Sequence, residues 1–216
     1  MVTKELLLGF NLEKRGIKLG NIIKVIIISY FIGNFSSAYI LGKLYEKKDI
    51  RNYGSGNAGA TNALRVFGIK IGILAFIFDI LKGFIAVTVS KNIMGFNGGL
   101  IAGLFVVIGH NWPIVLKFRG GKGIAASLGV MLCLNLPTAI ICMAIGFLVI
   151  AKTRYVSLGS IMATGLVPIV GLFTKKPFNF NFFFFTIALA LMAILRHKSN
   201  IKRLLNGKES KLGERV

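Results

Sequence analysis

Residues 54–65, GSGNAGATNALR, combine small residues with hydroxyl, amide and guanidinium groups just past a charged segment. Small residues let a backbone approach a ligand closely and turn its N–H groups inward. Ser55, Asn57, Thr61 and Asn62 add hydrogen-bonding side chains, and Arg65 adds a planar cationic fork suited to an oxyanion. The chemistry this supports is the holding of a phosphate. The same residues also fit a glycine-rich turn feeding a helix, with Ser55 or Asn57 as its N-cap.

Two further polar clusters follow: GHNWPIVLKFRGGKG at 109–123 and RHKSN at 196–200. Each holds a cation, and the first adds Gly120, Gly121 and Gly123 around Lys122. Arg65, Lys122, Arg196 and His197 together can neutralise one or two phosphates. Each also has a plainer reading: Lys122 as a snorkelling lysine, His110 as a packing or capping histidine before a proline turn, His197 as an interfacial anchor.

Several other chemistries are excluded by spelling or context. Residues 54–59 read G-x-G-x-x-G, but a dinucleotide site needs a preceding buried strand, and an apolar run with a charged loop stands there instead. A nucleotide P-loop ending at Lys122 would need Gly at 116 and Ser or Thr at 123, where Leu116 and Gly123 stand. No histidine is followed by an aspartate at the acyltransferase spacing: Val115 lies five residues after His110, and Lys202 five after His197. Two histidines, two cysteines in apolar runs (Cys133, Cys142) and seven acids offer no metal-ligand spacing, and no cofactor is expected.

These clusters must be positioned by membrane helices. The 216 residues are 55% hydrophobic, too apolar for a soluble domain. The 27 Lys and Arg against 7 Asp and Glu suggest loops facing a cytoplasm and anionic lipid. Nucleic acid is not expected as a partner, because the cations are scattered between apolar runs and do not share a face. A bilayer core of ~30 Å takes roughly 20 apolar residues. The runs at 21–42, 69–90, 98–116, 155–173 and 178–195 meet that length. Residues 124–151 read as two short helices broken at Pro137, because the basic stretches 117–123 and 152–154 ask for the same side and hence an even number of crossings. Asp79 and Lys82, three apart inside the second run, read as a neutralising pair facing the bundle or as direct participants in chemistry.

The expectation is an all-α membrane bundle of seven spans, N-terminus outside and C-terminus cytoplasmic. Residues 1–20 form a charged extension, 21–195 the transmembrane domain with its motif loops, and 196–216 a basic cytoplasmic tail. Lys91, Lys175 and Lys176 then lie outside and most other cations inside. The extension, with Lys4, Lys14, Arg15 and Lys18, resists this orientation, which keeps six spans as the alternative layout. LLLGF at 6–10 is too short for the core of a cleaved signal.

SGNAGATNALRVFG with DILKG, then GHNWPIVLKFRGGKGIAASLG, RYVSLGSI and LRHKSNIKRLLNGKE, resembles the successive signatures of the bacterial acyl-phosphate:glycerol-3-phosphate acyltransferase family, the PlsY type. The resemblance covers roughly residues 25–209. It implies a seven-span inner-membrane enzyme with its site facing the cytoplasm. Such an enzyme moves a fatty acyl group from acyl phosphate, supplied by a soluble phosphate acyltransferase, to the sn-1 hydroxyl of glycerol 3-phosphate. The products are lysophosphatidic acid and phosphate, the first step of phospholipid synthesis. Residue by residue, it puts the family's serine on Ser55, its arginine on Arg65, its lysine on Lys122, and its late histidine and asparagine on His197 and Asn200. One departure is Asn34-Phe35-Ser36-Ser37, where the family often has a Ser-Ile-Pro-Ser-like turn.

An acyl phosphate already carries a good leaving group, so positioning and charge neutralisation can supply most of the acceleration. Phosphate groups would sit on Arg65, Lys122 and the backbone N–H groups of 120–123, with Asn57 and Asn62 nearby. Ser55, His197 and Asn200 would orient the attacking hydroxyl and the acyl carbonyl. Asp79, Lys82, His110 and Arg196 are candidates for support. The alternative function is an anion or phosphate-ester transporter, which usually shows more polar groups at the midplane and an inverted repeat.

Overall fold

Inside a bilayer every backbone N–H and C=O must find its partner within the protein, so the long apolar runs become helices. The computed structural model describes residues 19–214. The expected N-terminal extension lies, up to residue 18, outside the described residues. In chain order the helices are α1 (Leu19–Asn34), α2 (Ser37–Tyr45), α3 (Ala60–Phe67), α4 (Ile69–Asn111), α5 (Ile124–Leu134), α6 (Leu136–Thr153), α7 (Val156–Thr174), α8 (Phe180–Arg196) and α9 (Lys198–Leu205).

Four described stretches are long and apolar enough to cross a membrane: Leu19–Tyr45, Ile69–Leu116, Leu136–Thr153 and Val156–Thr174. Phe180–Arg196 joins them if it is counted with Lys198–Leu205, from which it bends by 61°. Ile69–Leu116 holds 48 residues, ~72 Å of helix, about twice the thickness of a bilayer core. It folds back on itself at Met94 and Gly95, where Gly95 takes φ 61° and ψ −153°, a conformation open to glycine. Beyond the fold Gly99 packs against Val87 and Lys91, and Lys82 meets His110, so the two limbs run antiparallel.

Lipid tails give helices no hydrophobic reason to associate, so close approach through small residues does this work. A β-carbon on Gly33 would collide with the Val106 carbonyl, and one on Gly109 with that of Tyr30, where α1 crosses α4. Gly83 against the Ala126 carbonyl and Gly129 against that of Ile80 seat α5 on α4 in the same way. Gly159 would place a β-carbon 2.6 Å from the Gly146 carbonyl at the α6–α7 crossing. Val87, Val106, Val130, Phe182 and Leu189 fill the centre between α4, α5 and α8, while Phe31, Ile77, Phe147 and Phe184 face outward.

Two helix breaks differ from the sequence reading in detail. The chain breaks between α5 and α6 at Asn135, not at Pro137. The Asn135 side chain accepts from the Thr138 N–H at 3.1 Å, and Pro137 sits in the first turn of α6, where a missing N–H costs nothing. The run 21–42 is interrupted at Phe35–Ser36 without any proline. The Phe35 carbonyl that this break frees accepts a hydrogen bond from Lys82 Nζ at 2.7 Å.

Candidate active site

The first cluster is folded by Asn62, which is 2% exposed. Its Oδ1 accepts from the Ser55 N–H at 2.9 Å, and its Nδ2 is shared among the carbonyls of Ile50, Tyr53 and Asn57 at 3.0–3.3 Å. The amide is consumed in shaping the loop. Helix α3 starts after Gly59, so neither Ser55 nor Asn57 is its N-cap. Asn57 instead donates to the Gly120 carbonyl at 3.2 Å, tying the first cluster to the second. Arg51, paired with Asp49 at 2.7 Å, makes a parallel tie by donating to the Leu116 carbonyl at 3.0 Å.

The glycines of the second cluster serve close packing. A β-carbon on Gly120 would meet the His110 carbonyl, and one on Gly121 the His110 ring. The Gly121 N–H donates to the His110 carbonyl at 3.0 Å, which takes it out of the set expected to surround a phosphate. Arg196 is likewise committed: its guanidinium donates to the Gly121 carbonyl at 2.7 and 3.0 Å and lies 5.3 Å from the centre of the Trp112 ring. It braces the loop from behind. Gly123, at φ 80°, caps α5 and borders the cavity described below.

Lys122 reaches the third cluster, donating to Asn200 Oδ1 at 2.5 Å. Asn200 in turn donates to Glu209 Oε1 at 2.6 Å, which also accepts from Ser157 Oγ at 2.8 Å, while Arg203 Nε meets Oε2 at 2.7 Å. Sequence reasoning missed Glu209. Its signal was scarcity, one of seven acids in a strongly basic chain. Burial alone would raise its pKa, yet the hydrogen bonds from Asn200, Ser157 and Arg203 outweigh that and hold it below the usual value. Burial pushes the Lys122 ammonium down to about 8, with Glu209 opposing the shift and Arg203, Arg65 and Arg196 adding to it. Arg65 is lowered by burial too, and donates to the Ser210 carbonyl at 3.0 Å. The tail therefore closes one side of the site.

His197 is 2% exposed and sits between α8 and α9. Its Nδ1 lies 2.7 Å from the Ala193 carbonyl, which can only accept, so the proton is on Nδ1 and Nε2 carries a lone pair. Burial, with Lys122 adding to it, lowers its pKa to about 4 and keeps the ring neutral.

Ser55, Asn57, Thr61, Asn62, Arg65, Lys122, Gly123, His197, Asn200 and Glu209 border one cavity of about 400 Å³. Gly120, Gly121 and Arg196 stand outside its lining. The polar residues gather where α3, the start of α5, α9 and the tail converge. From there the lining turns apolar and follows α6 and α7, past Ile150, Gly146, Met143 and Cys142 to Ala139, with Ala163 and Val167 opposite. Ile150 to Ala139 is ~16 Å of helix. Asp79 and His110 border the cavity from α4. Among the described residues no three His, Cys, Asp or Glu side chains come together as metal ligands.

A cationic pocket continuous with an apolar passage between apolar helices is the site of an integral membrane protein. Residues 23–207 match the glycerol-3-phosphate acyltransferase family. The glycerol-3-phosphate acyltransferase of Thermoanaerobacter pseudethanolicus is 55% identical over 190 residues, covering 88% of this chain and 95% of the relative. That of Clostridioides difficile is 45% identical over 199 residues, covering 88% and 95%. Crystal structures of PlsY (YgiH), an integral membrane glycerol 3-phosphate acyltransferase, superpose well. The glycerol 3-phosphate form gives a TM-score of 0.83 at 36% identity, over 89% of this chain and 96% of that one. The lysophosphatidic acid form gives 0.80 at 34%, over 89% and 95%. The chain belongs to the glycerol-3-phosphate acyltransferase family, and it is an acyltransferase of the PlsY type.

Proposed function

We propose that the chain transfers a fatty acyl group from acyl phosphate to the sn-1 hydroxyl of glycerol 3-phosphate, releasing lysophosphatidic acid and inorganic phosphate at the cytoplasmic face of an inner membrane. The observation that carries this reading is the continuity of one cavity from Arg65 and Lys122 to Ala139. Its polar end suits two phosphates and its apolar end an acyl chain. A soluble phosphate acyltransferase would supply the donor, and the chain would enter from the bilayer.

Arg65 and Lys122 hold the phosphates as charge-assisted donors. Asn200 takes a double role, because it holds Lys122 through Oδ1 while Glu209 fixes its amide. His197 Nε2 can accept the hydroxyl proton, although at a pKa of about 4 it is a weak base, and a substrate phosphate oxygen competes for that proton. Ser55, on the exposed rim, orients the attacking hydroxyl or the acyl carbonyl.

The layout proposed with this function has seven crossings, with the N-terminus outside and the C-terminus inside. It counts both limbs of the α4 hairpin and the short α5 separately. In support, the three polar clusters and the tail meet at one end of the bundle, while Lys91 and Lys175 lie by the opposite turns.

The test is phosphate release by purified protein given palmitoyl phosphate, with and without glycerol 3-phosphate. Release that requires both is expected. Flux of labelled glycerol 3-phosphate into proteoliposomes lacking acyl phosphate, with no release, would replace this reading with a transporter.

A further inference from the structure

We propose that His110, locked by Lys82 and Asp79, is the positioning residue that shapes the Lys122 loop; the proposal rests on the acyl-transfer reading above. Lys82 Nζ is 2.8 Å from Asp79 Oδ1, 2.7 Å from the Phe35 carbonyl and 2.6 Å from His110 Nδ1. An ammonium has three protons and no lone pair, so three partners exhaust it and each must accept. Nδ1 of His110 is therefore unprotonated, and the ring proton sits on Nε2. Ser37 Oγ donates to Asp79 Oδ1 at 2.8 Å and fixes the carboxylate from the broken first helix. All three charged or titratable members are at most 5% exposed.

The free edge of that ring faces the loop. Gly121 lies so close that any β-carbon there would overlap Nε2, and the His110 carbonyl both receives the Gly121 N–H and blocks a side chain on Gly120. One residue thus sets the path of the two residues before Lys122 through its ring and its backbone together. The imidazole can take that place only in one orientation and tautomer, and Lys82 selects both. An apolar side chain there would pack but would not be fixed in rotation. The lock gives Asp79 and Lys82, which are costly inside a membrane, a role that acts through His110.

Three measurements test the idea. With two histidines in the chain, nitrogen NMR of protein labelled at histidine, assigned with His197→Gln, should show His110 as the Nε2–H tautomer; an Nδ1–H signature would overturn the lock. In His110→Asn the amide oxygen can still accept from Lys82, so folding is retained while the edge against Gly121 is lost. Its expected effect is a rise of about tenfold in the KM of whichever substrate Lys122→Arg also affects, with kcat within about threefold. Ser90→Ala, which removes the buried 3.4 Å contact with Ser29 elsewhere between α1 and α4, should leave both KM values unchanged. An unchanged KM in folded His110→Asn, or an equal rise in Ser90→Ala, would refute positioning.

Should His110→Asn fail to fold, Gly121→Ala decides between the outcomes, because it leaves every partner of Lys82 in place while its β-carbon displaces the loop from the His110 ring. The alanine should raise the same KM and shift the His110 nitrogen signals. A folded Gly121→Ala with both KM values unchanged would overturn the proposal. Failure of the acyl-transfer reading looks different, since wild-type protein would then release no phosphate with both substrates present.

Discussion

Among the described residues, buried Lys82 and half-buried Lys122 both stand in polar company, and they are opposite in kind. Lys82 has every proton engaged by an acidic, carbonyl or imidazole acceptor within 2.8 Å. Lys122 makes one side-chain hydrogen bond among the described residues, to the neutral amide of Asn200, and its acid, Glu209, lies one residue further on behind that amide. The first ammonium is paired and closed. The second is held in place but left short of a counter-charge, in a cavity large enough to supply one. A cation serves structure when its protons are spent on the protein, and serves a ligand when they are oriented and unspent.

The largest effects should come from opening the closed cluster. Lys82→Met leaves the Asp79 carboxylate buried without its cation, which costs about 3–5 kcal/mol of stability. Thermal unfolding in detergent should show it, and Asp79→Asn in the same chain should recover much of the loss, because a neutral amide needs no counter-ion. A double variant as unstable as Lys82→Met would show that Asp79 is not the damaged partner.

At the open cluster the order reverses. Lys122→Ala should lower kcat/KM by about 10²–10³, the scale for removing one oriented cationic or hydrogen-bond donor from a reacting anion. Unfolding temperature should hold or rise, since a desolvated charge has been removed. Equal losses of stability and activity would erase the distinction between the two lysines.

Much of this contrast is visible in the sequence. Asp79 and Lys82 at helical spacing inside an apolar run announce a pair, and the three glycine or cation clusters announce an anion site. What the sequence does not show is the third partner of Lys82. His110 lies 28 residues away, and only the backward fold at Met94 and Gly95 brings it there. Arg196 looks like a fourth phosphate cation because composition counts charges and not their acceptors; the carbonyls of Gly120 and Gly121 claim it. The glycines of that loop read as room for a ligand, and Gly120 and Gly121 prove to be room for His110. Glu209 is hidden in a tail that reads as soluble and basic, although α9 and the strap after it complete the cavity wall. The interruption of the first run at Phe35 has no local cause to find, because a lysine from another helix satisfies it.

The pH response sharpens the comparison further. Burial lowers Lys122 to about 8 from an ordinary 10.5, so in the unliganded protein the ammonium is lost as pH rises through 8. Since kcat/KM reports the free enzyme, it should fall about tenfold per unit above pH 8. Lys122→Arg, which cannot deprotonate in this range, should lack that limb. Stability must move the other way. Between pH 8 and 10.5 the unfolded chain holds a proton on this lysine that the folded chain has released, so the fold gains stability there. The unfolding temperature of wild type relative to Lys122→Met should therefore climb while activity declines.

The smallest effect concerns how firmly the open cluster is held. Ser157→Ala removes one of the two donors on Glu209 Oε1 and leaves Asn200 and Arg203 in place. A single hydrogen bond to a charged group contributes about 1.5–3 kcal/mol at most, and the partial exposure of Arg203 beside it leaves water within reach to replace part of that. The variant should fold, and its KM for whichever substrate Lys122→Arg also affects should rise only several-fold, because the amide of Asn200 keeps its carboxylate. Asn200→Ala, which cuts the link itself, should raise that KM further although it removes no charge. If Ser157→Ala were the more harmful of the two, Glu209 would be acting on the substrate directly and not through Asn200, and the open cluster would have to be redrawn around the acid.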